Sequence, residues 1–254
     1  MPWAASNDPL EIRAELDKMR DAGKIVAEIL ALLKELVRLE ITAELDRLAE
    51  KECRKRKAKP AFKGYGGFPY SICASPDEQV VHGFPNARPL AEGSLPSVDF
   101  GASMAAFEAM LLTAPVGTVD QQKQRLMAVT ERSLALAIEQ IRCGGHLLDM
   151  ARAVQGCVEA EGFSVVREFV GHGIGKSLHE EPQIPNFVHG DERGVPLRAG
   201  MVLAIEPMVN AGLPGVKILR DGWTAVTVDG KPSAHFEHTV AVTEHGPEIL
   251  TRIS

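Results

Sequence analysis

The sequence has few or none of the features that are typical of disulfide-rich, membrane, secreted or nucleic-acid-binding proteins. It has only 4 cysteines among 254 residues and no Cys-x-x-Cys pair, so we expect free thiols in a reducing cytoplasm rather than a disulfide framework. No apolar run approaches the roughly 18 residues that a membrane helix needs. The segment Met1–Asp8 has neither the basic nor the apolar region of a secretion signal. Acidic residues outnumber basic ones by 34 to 28, which argues against a broad nucleic-acid-binding face.

The patterns that are present indicate a two-part α/β protein. Hydrophobic residues make up 45% of the chain, enough to bury a core. Two predicted helices are followed by a stretch rich in glycine, proline and strand-like segments, and this order returns roughly a hundred residues later. We therefore predict a tail at 1–9 and a single domain at 10–254, made of two similar halves at roughly 10–117 and 118–254.

A basic run, Arg54-Lys55-Arg56-Lys57, closes the second predicted helix. Cations at a helix C-terminus complement the helix dipole, which favours a solvated helix end. A binding site for RNA or for the ribosome is the alternative interpretation of the same run.

The residues with the clearest chemical signal are those at which burial and charge conflict. Apolar strand-like segments or glycine runs contain or end at Asp99, His172, Glu206 and Glu237. A histidine with three carboxylates suits Mn, Fe, Co or Zn. A divalent cation would offset the repulsion between the acids and lower the pKa of a bound water from about 15.7 to about 7. Taken singly, Asp99 could be a turn residue, His172 a packing residue and Glu237 a polar edge.

The same residues lie in motifs that resemble the type I methionine aminopeptidases. The resemblance runs from about Ile12 to the end of the chain, and its motifs are Ala61–Pro69, Val80–Pro85, Glu159–Glu168, Gly171–Pro182, Ile205–Gly212, Asp221–Thr224 and Phe236–Thr239. It implies the pita-bread fold, an α/β (α+β) architecture of two pseudo-symmetric halves with a central curved antiparallel sheet and helices on the outer face. It also implies removal of the N-terminal methionine from nascent proteins and peptides, with a preference for a small second residue.

The resemblance also implies a role for individual residues. Four of the family's five metal ligands would be Asp99, His172, Glu206 and Glu237. Glu206 would also relay the proton of the attacking water, and His179 would hydrogen-bond the scissile carbonyl or the oxyanion. His82 would contact the substrate near the scissile bond. The methionine pocket would be lined by Tyr65, Phe68, Cys73 and Trp223, although Phe68 and Trp223 could equally be core aromatics and Cys73 a small buried residue.

The sequence departs from the family pattern at the fifth ligand. An aspartate is expected eleven positions after Asp99, and Met110 stands there, whose thioether is a poor ligand for Mn, Fe or Zn. Helix-forming residues fill 102–112, so propensity alone favours a helix where the family has two strands, but tertiary context can override that preference and we expect strand pairing there. Pro96 is also unusual in the first of those strands.

The missing ligand leaves three outcomes open. The site could hold one cation through His172, Glu206 and Glu237, it could recruit Glu108, or it could hold no metal. We expect divalent cations (Co, Mn, Fe or Zn), two by resemblance and only one if the ligand is lost. The expected partners are N-terminal methionyl peptides and nascent chains near the ribosome, with no specific nucleic acid and no membrane. We expect a cytoplasmic monomer. The alternative function is a catalytically silent pita-bread domain that binds peptide termini or a protein partner.

Overall fold

Helices and strands follow one another in two rounds along the chain. A computed structural model describes residues 9–37, 41–104 and 106–252. The helices are α1 (Pro9–Leu36), α2 (Thr42–Lys55), α3 (Gln121–Glu139) and α4 (Leu147–Ala160), with a short 3-10 turn at Tyr65–Gly67. The strands of the first round are β1 (Lys59–Pro60), β2 (Ile72–Pro76), β3 (Gln79–Val81), β4 (Pro96–Ser103) and β5 (Phe107–Thr113).

The second round contains more strands than the first. After α3 and α4 these are β6 (Ser164–Val165), β7 (Gly171–Gly173), β8 (Glu180–Ile184), β9 (Val202–Ile205), β10 (Met208–Asn210), β11 (Val216–Ile218), β12 (Ala225–Thr227), β13 (Ser233–His235), β14 (His238–Thr243) and β15 (Gly246–Ile249). Two helices followed by strands thus occur twice. The limits of the domain and of its halves stay predictions, and α1 already begins at Pro9, inside the predicted tail.

Two antiparallel sheets meet at one short bridge. The larger sheet has the strand order β15-β14-β9-β7-β8. In the other, β4 is central and pairs with β1 and β2 on one side and with β5 on the other. Leu111 of β5 pairs with Glu237, just before β14, so this bridge joins the sheets. The structure therefore confirms the predicted mixture of helices and antiparallel sheets.

The strand alternation separates a core face from a second face. Val98 and Phe100 of β4 are buried in the main hydrophobic cluster, together with the apolar stripe of α1 that includes Val26, Ile29 and Leu33. Successive side chains of a strand point to opposite faces, so Asp99 points away from the helices. None of the helices in the described ranges combines the length and apolar character that a bilayer crossing requires.

The expected strand pairing accounts for most of 102–112. β4 runs to Ser103 and β5 begins at Phe107, with Met104 and Ala106 in the bend between them, so these described residues do not adopt the helix that propensity alone favours. β5 pairs with β4 from Ser97↔Thr113 to Ser103↔Phe107. Helix preference is worth only tenths of a kcal/mol per residue, and strand pairing that also buries Leu111 and Leu112 outweighs it. Pro96 is the first residue of β4, a position where proline is accommodated.

The basic run at the end of α2 is matched by acidic neighbours. Arg54 pairs with Glu50 at 2.7 Å, and Arg56 pairs with Glu52 at 2.5 Å and with Glu28 at 3.2 Å. Exposed pairs of this kind contribute about 0–1 kcal/mol each. They fit the interpretation as a solvated helix end, and a ribosome contact stays a prediction.

The glycines on either side of His172 allow close backbone contact in the larger sheet. A Cβ on Gly171 would lie 2.4 Å from the Ala204 carbonyl oxygen of β9, and one on Gly173 would lie 2.3 Å from the Glu181 oxygen of β8. Real side chains do not approach a carbonyl this closely. The Gly-His-Gly motif is therefore explained by packing between β7 and its two neighbours.

We predict that Gly171→Ala destabilises the fold, because β7 or β9 must move to admit the methyl group. Overpacking of this kind costs about 1–3 kcal/mol. The matched control is Gly175→Ala, whose Cβ would have ordinary contacts, the nearest at 3.6 Å from a Glu180 carboxylate oxygen. Urea unfolding in EDTA measures both variants. Equal stability of the two would contradict the packing explanation.

Candidate metal centre

Three predicted ligands converge where the two sheets meet. His172 lies in the middle of β7, Glu206 directly follows β9, and Glu237 lies between β13 and β14. One ligand atom from each lies within 4.8 Å of the other two. Glu237 is only 3% exposed, and its backbone N–H donates to the Leu111 carbonyl at 2.9 Å. Glu237 thus occupies the junction between two strands, β13 and β14.

The imidazole of His172 is prepared for coordination through Nε2. Its Nδ1 lies 2.8 Å from the Gly173 carbonyl oxygen, which can only accept, so Nδ1 carries the proton. Burial lowers the pKa of His172 to about 4, and the ring is neutral near pH 7. Nε2 lies 3.5 Å from Oε1 of Glu206. Two atoms bound to one cation at about 2.1 Å with a tetrahedral angle are about 3.4 Å apart, so this spacing fits a shared cation.

We call the line where the two sheets meet, at the Leu111–Glu237 bridge, the seam. Burial raises the pKa of two carboxylates there, and neighbouring charges raise one of them further. Burial raises the pKa of Glu206 to about 8. Burial, and then the charges of Glu237 and Glu206, raise the pKa of Asp99 well above its usual range. Within the described part of the chain, the buried Oδ1 of Asp99 has no hydrogen-bond partner. Buried acids cost several kcal/mol each unless they are paired, and a divalent cation meets that need.

The register of the seam shows which side chains share the Asp99 face. Cys73 pairs with Asp99, Asp99 with Leu111, and Leu111 with Glu237, so these side chains form one row across four neighbouring segments. Ala109, two residues before Leu111, lies on the same face of β5. Both β5 residues are apolar and offer no ligand atom.

Met110 lies on the other face of β5. Its register partner is Phe100, and its side chain packs against the main core. The replacement of a family ligand by Met110 stays a prediction. The backbone of Glu108 pairs with Ala102, and the Glu108 side chain, which we considered as a substitute ligand, lies outside the described residues.

The predicted substrate residues surround one side of the seam. Tyr65, which is 45% exposed, contacts His179 through its hydroxyl, 2.8 Å from Nδ1. The rings of His179 and His172 lie 4.2 Å apart between centroids. Phe68 is buried and meets Trp223 edge-on with centroids 5.1 Å apart. Tyr65 and His179 therefore lie next to the ligand His172, and Phe68 and Trp223 form a second ring pair.

His82 and Cys73 complete this group from the first half of the chain. His82 adopts a left-handed backbone conformation with φ of 59°, which is rare outside glycine and is typical of functional positions. Its ring meets Trp223 edge-on with centroids 6.2 Å apart. Burial raises the pKa of the Cys73 thiol well above its usual range, followed by the nearby charges of Asp99 and Glu237. The thiol of Cys73 is thus uncharged at neutral pH, and its place in the lining of the methionine pocket stays a prediction.

A polar turn fixes Trp223 relative to His82. The carboxylate of Asp221 accepts hydrogen bonds from the backbone N–H groups of Trp223 and Thr224, both at 2.9 Å. It also accepts from the Thr224 hydroxyl at 2.6 Å. That hydroxyl lies 3.5 Å from the His82 carbonyl oxygen, so the turn spans the two ring-bearing segments.

Sequence reasoning missed two residues that contact Glu206. His235 places Nε2 at 3.4 Å from Oε2 of Glu206. Asn186 donates from its side-chain amide to the Glu206 carbonyl oxygen at 3.0 Å. Asn186 lies 20 residues before Glu206 in the chain, and nothing in its local pattern marks it. Strand alternation, which places residues two apart on one face, is the signal that could have linked His235 to Glu237.

The raised pKa of Glu206 predicts that the cation-free protein becomes less stable as the pH rises. Between an unfolded value of 4.5 and a folded value of about 8, the unfolded chain releases a proton that the folded protein keeps. The buried histidines act in the opposite direction, but only below their unfolded pKa of 6.5. We expect the unfolding free energy in EDTA to fall by on the order of 1–2 kcal/mol from pH 6.5 to 8.

Urea unfolding at constant ionic strength measures how the free energy of unfolding changes with pH. Glu206→Gln should show a smaller decrease, because Asp99 remains. Saturating Mn(II) should remove most of the decrease in the unchanged protein. Parallel slopes for the unchanged protein and Glu206→Gln would contradict the assignment.

Comparison with known proteins identifies one family along nearly the whole chain. The sequence model of metallopeptidase family M24 matches residues 17–244. The methionine aminopeptidase of Clostridium perfringens is 52% identical over 241 residues, which cover 94% of this chain and 96% of that protein. Methionine aminopeptidase 1 of Bacillus subtilis is 49% identical over 241 residues, which cover 94% and 97%.

Solved structures agree with the sequence comparison. The crystal structure of a methionine aminopeptidase from Thermotoga maritima superposes with a TM-score of 0.92 at 43% identity, covering 99% of this chain and 100% of that one. Prolidase from Pyrococcus furiosus, at 19% identity and a TM-score of 0.74, covers 95% of this chain and 65% of its own, and shares the fold alone. The chain therefore belongs to metallopeptidase family M24 and, within it, to the methionine aminopeptidases.

Proposed function

We propose that this protein hydrolyses the peptide bond after an N-terminal methionine, with a preference for a small second residue. The observation that carries the proposal is the convergence of His172, Glu206 and Glu237, with the ring of His179 4.2 Å from that of His172 between centroids. The Phe68–Trp223 ring pair is the proposed site for the methionine side chain. Aromatic edges suit a methionine thioether, with each sulfur contact worth about 0.3–1.5 kcal/mol. The pocket therefore selects the side chain while the carboxylates lie next to the bond to be broken.

His172, Glu206 and Glu237, with Asp99 beside them, are the residues that would hold the divalent cation. When bound, the cation supplies positive charge that acidifies a bound water and polarises the scissile carbonyl. This donor set accommodates Co, Mn, Fe or Zn. We propose a single tightly held cation, because the β5 side chains nearest Asp99 on its face, Ala109 and Leu111, contribute no donor.

Glu206 is the proposed proton relay. Its raised pKa suits a carboxylate that takes a proton from the attacking water and returns it to the leaving amine. His179 keeps Nε2 available for the scissile carbonyl or the developing oxyanion, because its Nδ1 is engaged by the Tyr65 hydroxyl at 2.8 Å. His82, kept neutral by burial that lowers its pKa to about 4, offers a hydrogen bond to the substrate without adding charge.

The setting of this reaction adds further proposals. A cytoplasmic location and a monomeric state suit free thiols and a single-chain site, and nascent chains near the ribosome would be the natural substrates. A catalytically silent domain that binds peptide termini or a protein partner is not favoured, because a relative that is 52% identical over most of the chain is named a methionine aminopeptidase.

We expect methionine release from a Met-Ala-Ser peptide in the presence of Co(II) or Mn(II), and much slower release from Met-Leu-Ser. Glu206→Gln should lower kcat by about 10²–10⁴-fold, the usual contribution of a general acid–base group. Free methionine measured by chromatography reports the rate. The control is Glu44→Gln, a change at an exposed α2 carboxylate paired with Arg47. A folded protein that releases no methionine at any cation concentration would support the silent domain instead.

A second prediction concerns the number of cations. Calorimetric titration and elemental analysis should find one tightly bound Mn(II) per chain. Glu237→Gln should weaken it strongly, because removing one partner of a buried charge group is costly. Two tightly bound ions at full occupancy would refute the single-cation proposal.

A further inference from the structure

The carboxylate of Glu206 lies between two imidazole rings. Its Oε1 faces Nε2 of His172 at 3.5 Å, and its Oε2 faces Nε2 of His235 at 3.4 Å. The two oxygens therefore have different neighbours. Because the Nδ1 proton of His172 is donated to Gly173, Nε2 of His172 directs a lone pair towards Glu206. Nε2 of His172 and Oε1 of Glu206 are thus two facing acceptors, an arrangement that a bound cation would stabilise. The contact with His235 differs, because neither ring nitrogen of His235 is engaged by another group in the described residues.

The backbone of His235 is held firmly at the end of β13. Its N–H donates to the Thr113 hydroxyl at 2.9 Å, and that hydroxyl donates to the His235 carbonyl oxygen at 2.7 Å. The residue is 1% exposed. His235 also pairs with Met208 of β10, two residues after Glu206. The ring is thus positioned by the sheet and not by its own polar contacts.

The ring nitrogens of His235 need a partner. His235 is 1% exposed, and a neutral imidazole carries one N–H donor and one acceptor nitrogen. Neither nitrogen has a hydrogen-bond partner in the described part of the chain. An unsatisfied buried donor costs about 1–3 kcal/mol. Oε2 of Glu206, at 3.4 Å, is the acceptor within reach, and such contacts tighten when a site is loaded.

We propose that His235 is a positioning residue, whose Nε2–H donates to Oε2 of Glu206 and so reserves Oε1 for the cation and for the proton relay. The role of Glu206 as a proton relay rests on the proposed function. The hydrogen bond from His235 rests on geometry alone. Without His235, the carboxylate could rotate about its terminal torsion and exchange its two oxygens. A group that orients a metal ligand in this way typically contributes about 10–100-fold to metal affinity.

Two substitutions distinguish hydrogen bonding from ring packing. His235→Gln keeps an N–H donor the same number of bonds from the backbone, whereas His235→Phe keeps a buried ring and removes the donor. We expect His235→Phe to weaken Mn(II) binding by about 10–100-fold, and His235→Gln to stay within about threefold of the unchanged protein. For peptide hydrolysis, His235→Phe should lower kcat and leave KM nearly unchanged.

Titration calorimetry with Mn(II) measures affinity, and His245→Phe, at an exposed position, serves as the control. The unchanged protein offers a test that needs no variant, because ¹⁵N NMR of the histidine rings with diamagnetic Zn(II) bound, which keeps Glu206 ionised, should find the His235 proton on Nε2. A proton on Nδ1, unchanged Mn(II) affinity in His235→Phe, or equal losses in the Gln and Phe variants would overturn the proposal. These readouts do not use hydrolysis, so absence of methionine release would count against the proposed function alone.

Discussion

Like charges confined to a buried seam are the constraint on which this structure depends. The charges of Glu237 and Glu206 add to the cost of ionising the buried Asp99, and two sheets meet where these residues lie. Folding without a compensating charge would leave these acids protonated or unstable. The neutral imidazole of His172 adds a donor atom without adding charge, which suits a site that balances a divalent cation against carboxylates.

The backbone around the seam is arranged so that four strands approach closely. Gly171 and Gly173 remove side chains where β8 and β9 contact β7. The bridge between Leu111 and Glu237 joins the sheets, and the Thr239 hydroxyl donates to the Ala109 carbonyl at 2.9 Å to reinforce it. The helices pack against the opposite strand faces. The charged residues therefore lie within strands or directly at strand ends, and burial of the apolar faces of those strands offsets the cost of burying the charges.

The histidines at the site use one ring nitrogen for support and the other for chemistry. His172 donates from Nδ1 to the Gly173 carbonyl oxygen and therefore presents a lone pair at Nε2. The Tyr65 hydroxyl, which can donate or accept, contacts Nδ1 of His179; when the hydroxyl donates, Nε2 of His179 carries the proton and can donate. The carbonyl contact thus fixes the tautomer of His172.

The sequence alone determined the order of helices and strands, the Gly-His-Gly motif and the identity of His172, Glu206 and Glu237 as residues where charge meets apolar surroundings. Those signals are local, because composition and periodicity carry them. Tertiary structure decided what depends on register. Propensity over 102–112 favours a helix by tenths of a kcal/mol per residue, and pairing with β4 overrides it. A one-residue change of register exchanges the faces of a strand, so only the pairing could place Met110 beside Phe100 and Leu111 beside Asp99. His235 likewise reaches Glu206 only because separate strands, β13 and β9, end at the same seam.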